Sequence, residues 1–416
     1  MASGAAVTLG ATLDDPLAPP QATIERGIHG LVFTATFPFR RSLMALALAI
    51  GVAGPAGANP SLLFDVRTGE VLSHTDAFRR WHPASLTKLM TAYVTFRAIQ
   101  AGELDMTSPI KVSKNSANEP ASKMGYKPGQ VMSLDNALKM MIIKSANDIA
   151  TAVAENVGGS EKAFADRMNQ EAARLGMTGS HFVNANGLHS PDQYVTARDL
   201  GLLVMAIRTE YPQYAGLFAI EGLSSGKTVM KTYNMLVGRF AGADGMKTGF
   251  ICPSGFNMVG SATRGDRTLA AVVLGAGSAR GRAESAAEML TMGFAGARKG
   301  DATLANLPVY GDPNAAPPNM REDICGKKPA VAQSEAAGDH EKADKKSRYL
   351  GDLTRPLKLV AVGLGGATGP VPKARRDREE ELDFADVPLP TPRPEYPLPE
   401  ARPEVKAAAE GDTAPN

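Results

Sequence analysis

Three serines in this chain stand three residues ahead of a lysine: Ser85 before Lys88, Ser108 before Lys111 and Ser224 before Lys227. On a helix, positions i and i+3 share a face, so an amine placed there touches the hydroxyl and can take its proton. Such a pair is a nucleophile with its own base, suited to acyl transfer from an amide or ester. Nothing marks a Ser-His-Asp set, which leaves the Ser-Lys arrangement. Context separates the three candidates. Only Ser85 opens a strongly apolar helix (WHPASLTKLMTAYV), with Pro83 fixing the entry and the hydroxyl at the positive end of the helix dipole. Ser108 is followed by Pro109, and the Ser224 stretch contains Gly226, so both read as loop.

A lysine acts as a base near neutral pH when burial or a second cation lowers its pKa. Lys247 is a candidate for that cation, at the head of Lys247-Thr248-Gly249 just before a strand-rich segment. There Lys and Thr can face a cleft, while Gly lets a substrate backbone approach closely. A third element is Ser145-Ala146-Asn147 between two predicted helices. The same pattern at Ser116-Ala117-Asn118 lies in a polar stretch ending at Pro120, a poorer seat. Taken alone, Ser145 and Asn147 read as ordinary helix-cap residues.

Taken together and in this order, the three motifs resemble those of the penicillin-recognising serine enzymes. QYVTARDL (Gln193 to Leu200), DGMKTGF (Asp244 to Phe250), RTLAAVVLG (Arg267 to Gly275) and GRAES (Gly281 to Ser285) resemble the serine-type D-alanyl-D-alanine carboxypeptidases, over roughly Ser61 to Arg298. The resemblance implies an α+β, β-lactamase-like fold: an antiparallel sheet flanked by helices, an all-helical subdomain, and the active site between them. It implies that Ser85 attacks the carbonyl between two terminal D-alanines of a peptidoglycan stem peptide and that Lys88 accepts its proton. Ser145, Asn147 and Lys247 complete the proton network. The backbone N–H groups of Ser85 and Phe250 form the oxyanion hole, Thr248 and Gly249 line the substrate strand, and Arg282 pairs with the terminal carboxylate. β-Lactams are the implied inhibitors, and no cofactor or metal is needed. Two departures stand out: Ala146 replaces a common glycine, and Phe250 occupies a place where a polar residue is frequent. The family's usual second, β-rich domain and C-terminal amphipathic membrane helix have no clear counterpart, and Leu359 to Leu364 is too short an apolar run to anchor anything.

Composition narrows the alternatives. Lys plus Arg is 45 and Asp plus Glu is 43, so a formal charge of +2 provides no field for gathering nucleic acid or anionic lipid. The six histidines show no metal-binding spacing and read as surface or capping residues. Two cysteines, Cys252 and Cys325, exclude a thiolate metal cluster and leave one disulfide as an option beside two free thiols. A class A β-lactamase shares the three motifs but needs a deacylating glutamate, where this chain has GLHSPDQYVTARDL. A cross-bridge endopeptidase would use the same residues, and a non-catalytic wall-binding scaffold need not keep both Ser85 and Lys88.

The elements that must hold these residues are legible from periodicity. Ser61 to Val66 and Val71 to His74 flank a turn and read as a hairpin, as do Phe256 to Thr263 and Thr268 to Leu274. Helices are expected from Ser85 to Gln100, after the caps Ser133, Ser160 and Thr196, and over Gly281 to Ala297. Residues 59–298 form the expected catalytic body. Before it, Arg40 and Arg41, an apolar run and small residues ending at Ala58 have the layout of a secretory signal peptide, although some forty residues lie upstream. A start downstream of Met1 accounts for that length, and export to the periplasm follows. From 299 to 416 the Pro, Ala and charge-rich composition predicts a mostly disordered tail.

Overall fold

The computed structural model describes residues 59–296, 300–326 and 347–375. The proposed leader (1–58) and the Pro-rich stretch from Val387 lie outside them. In chain order the elements are β1 (Ser61–Asp65), β2 (Val71–Thr75), α1 (Thr87–Gln100), β3 (Pro109–Lys111), α2 (Lys114–Asn118), β4 (Val131–Ser133), α3 (Leu134–Ile143), α4 (Asn147–Gly158), α5 (Glu161–Arg174) and α6 (Ala197–Glu210). They continue with β5 (Gly222–Ser225), β6 (Thr228–Lys231), β7 (Ala243–Ile251), β8 (Gly255–Arg264), β9 (Arg267–Ala276), α7 (Ala279–Phe294), α8 (Arg321–Ile324) and β10 (Leu359–Ala361).

Five strands make one antiparallel sheet in the order β2-β1-β9-β8-β7, which leaves β7 at an edge. Its central strand β9 reads almost continuously apolar because both of its faces are covered. Leu269, Ala271 and Val273 pack with Ala283, Ala286, Ala287 and Leu290 of α7, while Ala270, Val272 and Leu274 join the larger core that contains α1, α3, α4 and α6. A period-2 strand between two layers must be apolar at every position. Complete burial of a side chain such as Leu290 is worth about 2 kcal/mol.

The helical part is built on α1 and α4, against which α2, α3 and α5 pack. The serine and threonine caps operate as the sequence indicates: Ser133 Oγ accepts from Asn136 N (3.3 Å), Ser160 Oγ from Ala163 N (3.1 Å) and Thr196 Oγ1 from Asp199 N (3.0 Å). A 3-10 turn, Ala84–Leu86, joins the sheet to α1 and packs against β7 and β8. The fold is therefore the sheet-plus-helices arrangement expected, with the α1 entry at the seam.

Two expectations need correcting. The Lys247 motif does not precede the strands; it occupies the middle of edge strand β7. Nor is the chain from 299 onward an unpacked tail over 300–326 and 347–375. Leu304, Leu307 and Val362 are buried, Arg355 donates both terminal nitrogens to Glu221 (2.8 and 2.6 Å), and β10 adds a parallel strand to β5. Average composition conceals such anchors, because a few buried side chains and one ion pair suffice when the body supplies the partner surface. The apolar run at Leu359, too short for a membrane, is used as that third strand.

Candidate active site

Ser85 lies half-buried inside the 3-10 turn, one residue after Ala84, whose φ is 49°. A non-glycine residue in this left-handed region costs about 1 kcal/mol, and here the neighbours dictate it. Gly187 is pressed so closely on the Ala84 carbonyl that a Cβ would fall 1.9 Å from the oxygen. On the other side, a Cβ on Gly249 of β7 would lie 2.9 Å from Ser85 N and 3.0 Å from Leu86 N. Two glycines thus let the 186–189 loop and the edge strand close on the serine from opposite sides. The absent side chain of Gly249 makes room for the protein's own backbone at Ser85.

Lys88, wholly buried at the second position of α1, directs its Nζ to Ser85 Oγ at 3.0 Å, Asn147 Oδ1 at 2.8 Å and the carbonyl of Asn186 at 2.5 Å. Asn147 is itself fixed, its N donating to the Ser122 carbonyl (2.7 Å) and its Nδ2 to that of Pro120 (3.0 Å). The loop bearing Ser122 is held in turn by Asp148, whose carboxylate accepts from Met124 N and Gly125 N. The α3–α4 linker that carries the Ser145 motif therefore arrives pre-positioned beside Lys88.

Lys247, 2% exposed, donates from Nζ to Ser145 Oγ (2.9 Å) and to the Thr248 carbonyl (2.7 Å). Ser145 has φ 59° and is 1% exposed, a second strained non-glycine residue at the same centre. The site thus holds two hydroxyls, each bonded to a lysine amine, in a buried setting where electrostatic interactions are weakly screened.

Thr248 is buried in β7, and Phe250 stacks on Phe256 across the β7–β8 pair with centroids 4.2 Å apart. Arg282 at the start of α7 is 1% exposed; its Nη1 donates to the carbonyls of Gly249 (3.1 Å) and Asn257 (3.2 Å), and its guanidinium lies over Phe256. Its guanidinium is thus turned to the backbone of β7 and β8, whereas the resemblance implied a residue facing the substrate carboxylate.

The residues set aside in the sequence serve other ends. Ser108 is buried and receives Asp105 N (2.9 Å) in a turn before β3, while Lys111 is exposed. Ser224 belongs to β5 and Lys227 to an exposed turn. Ser116 and Ser113 cap α2 reciprocally. Sequence reasoning missed Asn186, whose carbonyl meets Lys88, and Gln193, whose Oε1 takes Val183 N (2.9 Å) and Asn184 N (3.0 Å) and whose carbonyl meets His82 Nδ1 (3.1 Å). The glycine after two asparagines in NANGL was the available signal. His82 is also no surface residue: it is 5% exposed, and burial lowers its pKa despite the bond to Gln193. Cys252 and Cys325 are joined as a disulfide with Cα atoms 5.7 Å apart, fastening the second segment of the chain beside β7.

Among proteins of known family, residues 53–278 match the model described as D-alanyl-D-alanine carboxypeptidase. The chain is 36% identical over 275 residues to the D-alanyl-D-alanine carboxypeptidase DacC of Escherichia coli, covering 64% of this chain and 69% of that protein. It is 34% identical to DacD of the same organism, covering 56% and 62%. Among solved structures, the carboxypeptidase DacD of Francisella tularensis superposes with a TM-score of 0.56 at 30% identity, covering 57% of this chain and 70% of that one. Penicillin-binding protein D2 of Listeria monocytogenes in its ampicillin-bound form gives 0.52 at 29% identity, covering 57% and 97%. With the paired Ser-Lys centre, the edge-strand motif and these matches in place, the chain belongs to the D-alanyl-D-alanine carboxypeptidase family, serine hydrolases of the low-molecular-mass penicillin-binding group.

Proposed function

We propose that this chain removes the terminal D-alanine from peptidoglycan stem peptides by way of an acyl-enzyme on Ser85, and that penicillins acylate the same hydroxyl. The observation that carries this reading is the 3.0 Å contact between Lys88 Nζ and Ser85 Oγ, with a second amine, Lys247, bonded to Ser145 across the cleft. Lys88 takes the Ser85 proton as Oγ attacks the carbonyl between the two D-alanines. The N–H groups of Ser85 and Phe250 receive the oxyanion, a reading supported by the tight approach of the neighbouring Gly249 to Ser85. Collapse expels D-alanine, whose nitrogen takes a proton through the Lys88–Ser145 network, and water then hydrolyses the ester with Lys88 as base. Thr248 binds the leaving carboxylate, with Arg282 adding positive potential from below.

The loop facing Lys88 presents the amides of Asn184, Asn186 and Gln193, and its sequence GLHSPDQYVTARDL offers no glutamate to activate a deacylating water. A site so equipped releases a penicilloyl group slowly, which favours the carboxypeptidase over a β-lactamase. Export follows from the leader-like sequence before Asn59 and from the disulfide, which suits an oxidising compartment. Among the described residues no helix is long and apolar enough to cross a membrane.

The test is incubation of the exported form with a fluorescent penicillin and, separately, with a peptide ending in D-Ala-D-Ala. Release of D-alanine and a long-lived covalent adduct are expected. Rapid penicillin turnover would favour the lactamase, and no adduct would overturn the enzymatic reading.

A further inference from the structure

Residues 300–326 form a strap from strand β2 to the end of the cleft. Gly300 N donates to Glu70 (2.8 Å), Ala77 N to the Tyr310 hydroxyl (2.8 Å), and Arg80 to Asn314 (3.1 Å to the side chain, 3.3 Å to the carbonyl). The strap ends on the residues that follow β7: Met320 N donates to the Pro253 carbonyl (3.0 Å), and Cys325 is bonded to Cys252. It delivers the short helix α8, whose exposed charges are Arg321, Glu322 and Asp323. Of these, Arg321 is the one whose charge bears on His189, joining burial in lowering that imidazole's pKa. The His189 ring meets His82 edge-on at 4.8 Å, three residues before Ser85. The Met320–Pro253 bond and the disulfide hold Arg321 just beyond the end of β7, and the ring contact with His82 holds His189 beside the turn that carries Ser85.

The direction of a bound peptide follows from charge. Lys247 lies in β7 and Arg282 beneath it, so a terminal carboxylate belongs at the Lys247–Thr248 end. An extended peptide added along β7 on the side away from β8 then runs its acyl side past Phe250 towards Cys252 and Pro253. At about 3.3 Å per residue, the residue preceding D-Ala-D-Ala lies alongside Ile251 and Cys252, with its side chain directed to the strap. We propose that Arg321, presented by the disulfide-held strap together with His189, is a subsite for a free side-chain carboxylate on the residue preceding D-Ala-D-Ala.

This inference rests on the carboxypeptidase reading, and one experiment separates the two. Acetyl-Glu-D-Ala-D-Ala and acetyl-Gln-D-Ala-D-Ala, matched in shape and differing in charge, are assayed with the wild type, Arg321→Gln, and Arg348→Gln as a remote exposed arginine. The wild type should favour the Glu peptide in kcat/KM. Arg321→Gln should lower the Glu-to-Gln ratio roughly fivefold, as expected for an exposed charge pair, with the change in KM. Arg348→Gln should keep the wild-type ratio, and Cys252→Ser/Cys325→Ser should reproduce the Arg321→Gln ratio. D-Alanine release from both peptides with the same ratio in wild type and Arg321→Gln would overturn the subsite and leave the carboxypeptidase standing. Release from neither peptide, with no penicillin adduct, would overturn both.

Discussion

Around Ser85, a 3-10 turn, the α3–α4 linker, the 186–189 loop and strand β7 converge, and the lysine three residues on is buried against the hydroxyl. Around Ser108 the surroundings are local: a turn closed by Asp105, and a lysine three residues on that faces solvent. The spacing is the same and the backbone differs. From Ser85 the chain turns helically, so positions i and i+3 share a face; Ser108 leads into strand β3, where a period of 2 sends them to opposite faces. The Ser108 turn has a separate task, because Thr368 N and Gly369 N both donate to the Thr107 carbonyl (3.1 Å each) and Asn136 Nδ2 to that of Gly363 (3.2 Å). One region assembles a reactive centre from distant parts of the chain, and the other receives the returning chain.

The largest test of this contrast is Ser85→Ala, expected to abolish penicillin labelling and to lower D-alanine release by about 10⁴-fold or more, whereas Ser108→Ala should leave both intact. Loss of labelling in Ser108→Ala would break the comparison. Next is Gly249→Ala, whose Cβ would sit 2.9 Å from Ser85 N. Moving β7 off the serine by a fraction of an ångström should slow acylation about 10²-fold while the circular dichroism spectrum is kept; a normal acylation rate would mean that the strand is not what positions Ser85.

On the side of the returning chain, Glu221→Gln should cost about 1–2 kcal/mol in thermal melts near neutral pH. The Arg355 guanidinium, ahead of the opposing effect of burial and of the Lys358 N–H, lowers the Glu221 pKa from 4.5 to about 2. The full shift would correspond to more, but Arg355 is 45% exposed and water screens the pair. Because the folded pKa is the lower one, this stability is present above pH 4.5 and is lost as pH falls towards 2. The wild-type melting curve should decline across that window more steeply than that of Glu221→Gln, and parallel declines would count against the ion pair as the anchor. Smallest of all, Ser108→Ala should lower stability by about 1 kcal/mol, through loss of the bond from Asp105 N, and speed hydrogen exchange in residues 362–373. Unchanged exchange there would separate the turn from the docking of that segment.

Much of the reactive centre was readable before any fold was known, because its signals are local. Ser85 and Lys88 sit one helical turn apart, Pro83 marks the entry, and the caps at Ser133, Ser160 and Thr196 depend on neighbours three residues away. The roles of Asn186, Gln193 and the buried His82 were hidden, since each rests on a partner contributed by another segment. The packed stretch from 300 to 375 escaped for a related reason: its anchors Leu304, Val362 and Arg355 are scattered through Pro and Ala-rich sequence, and nothing near them names their partners.

The order of residues by itself determined which serine begins a helix with a lysine on its face, which elements follow, and the kind of acyl chemistry such a pair performs. Which glycines press on that serine, that Lys247 reaches Ser145 from the middle of an edge strand, and where the chain beyond residue 300 comes to rest were decided by tertiary packing. Periodicity and capping act over three or four residues and are written in the sequence directly. Contacts between segments more than a hundred residues apart exist only once the sheet and the helices have buried their faces against each other.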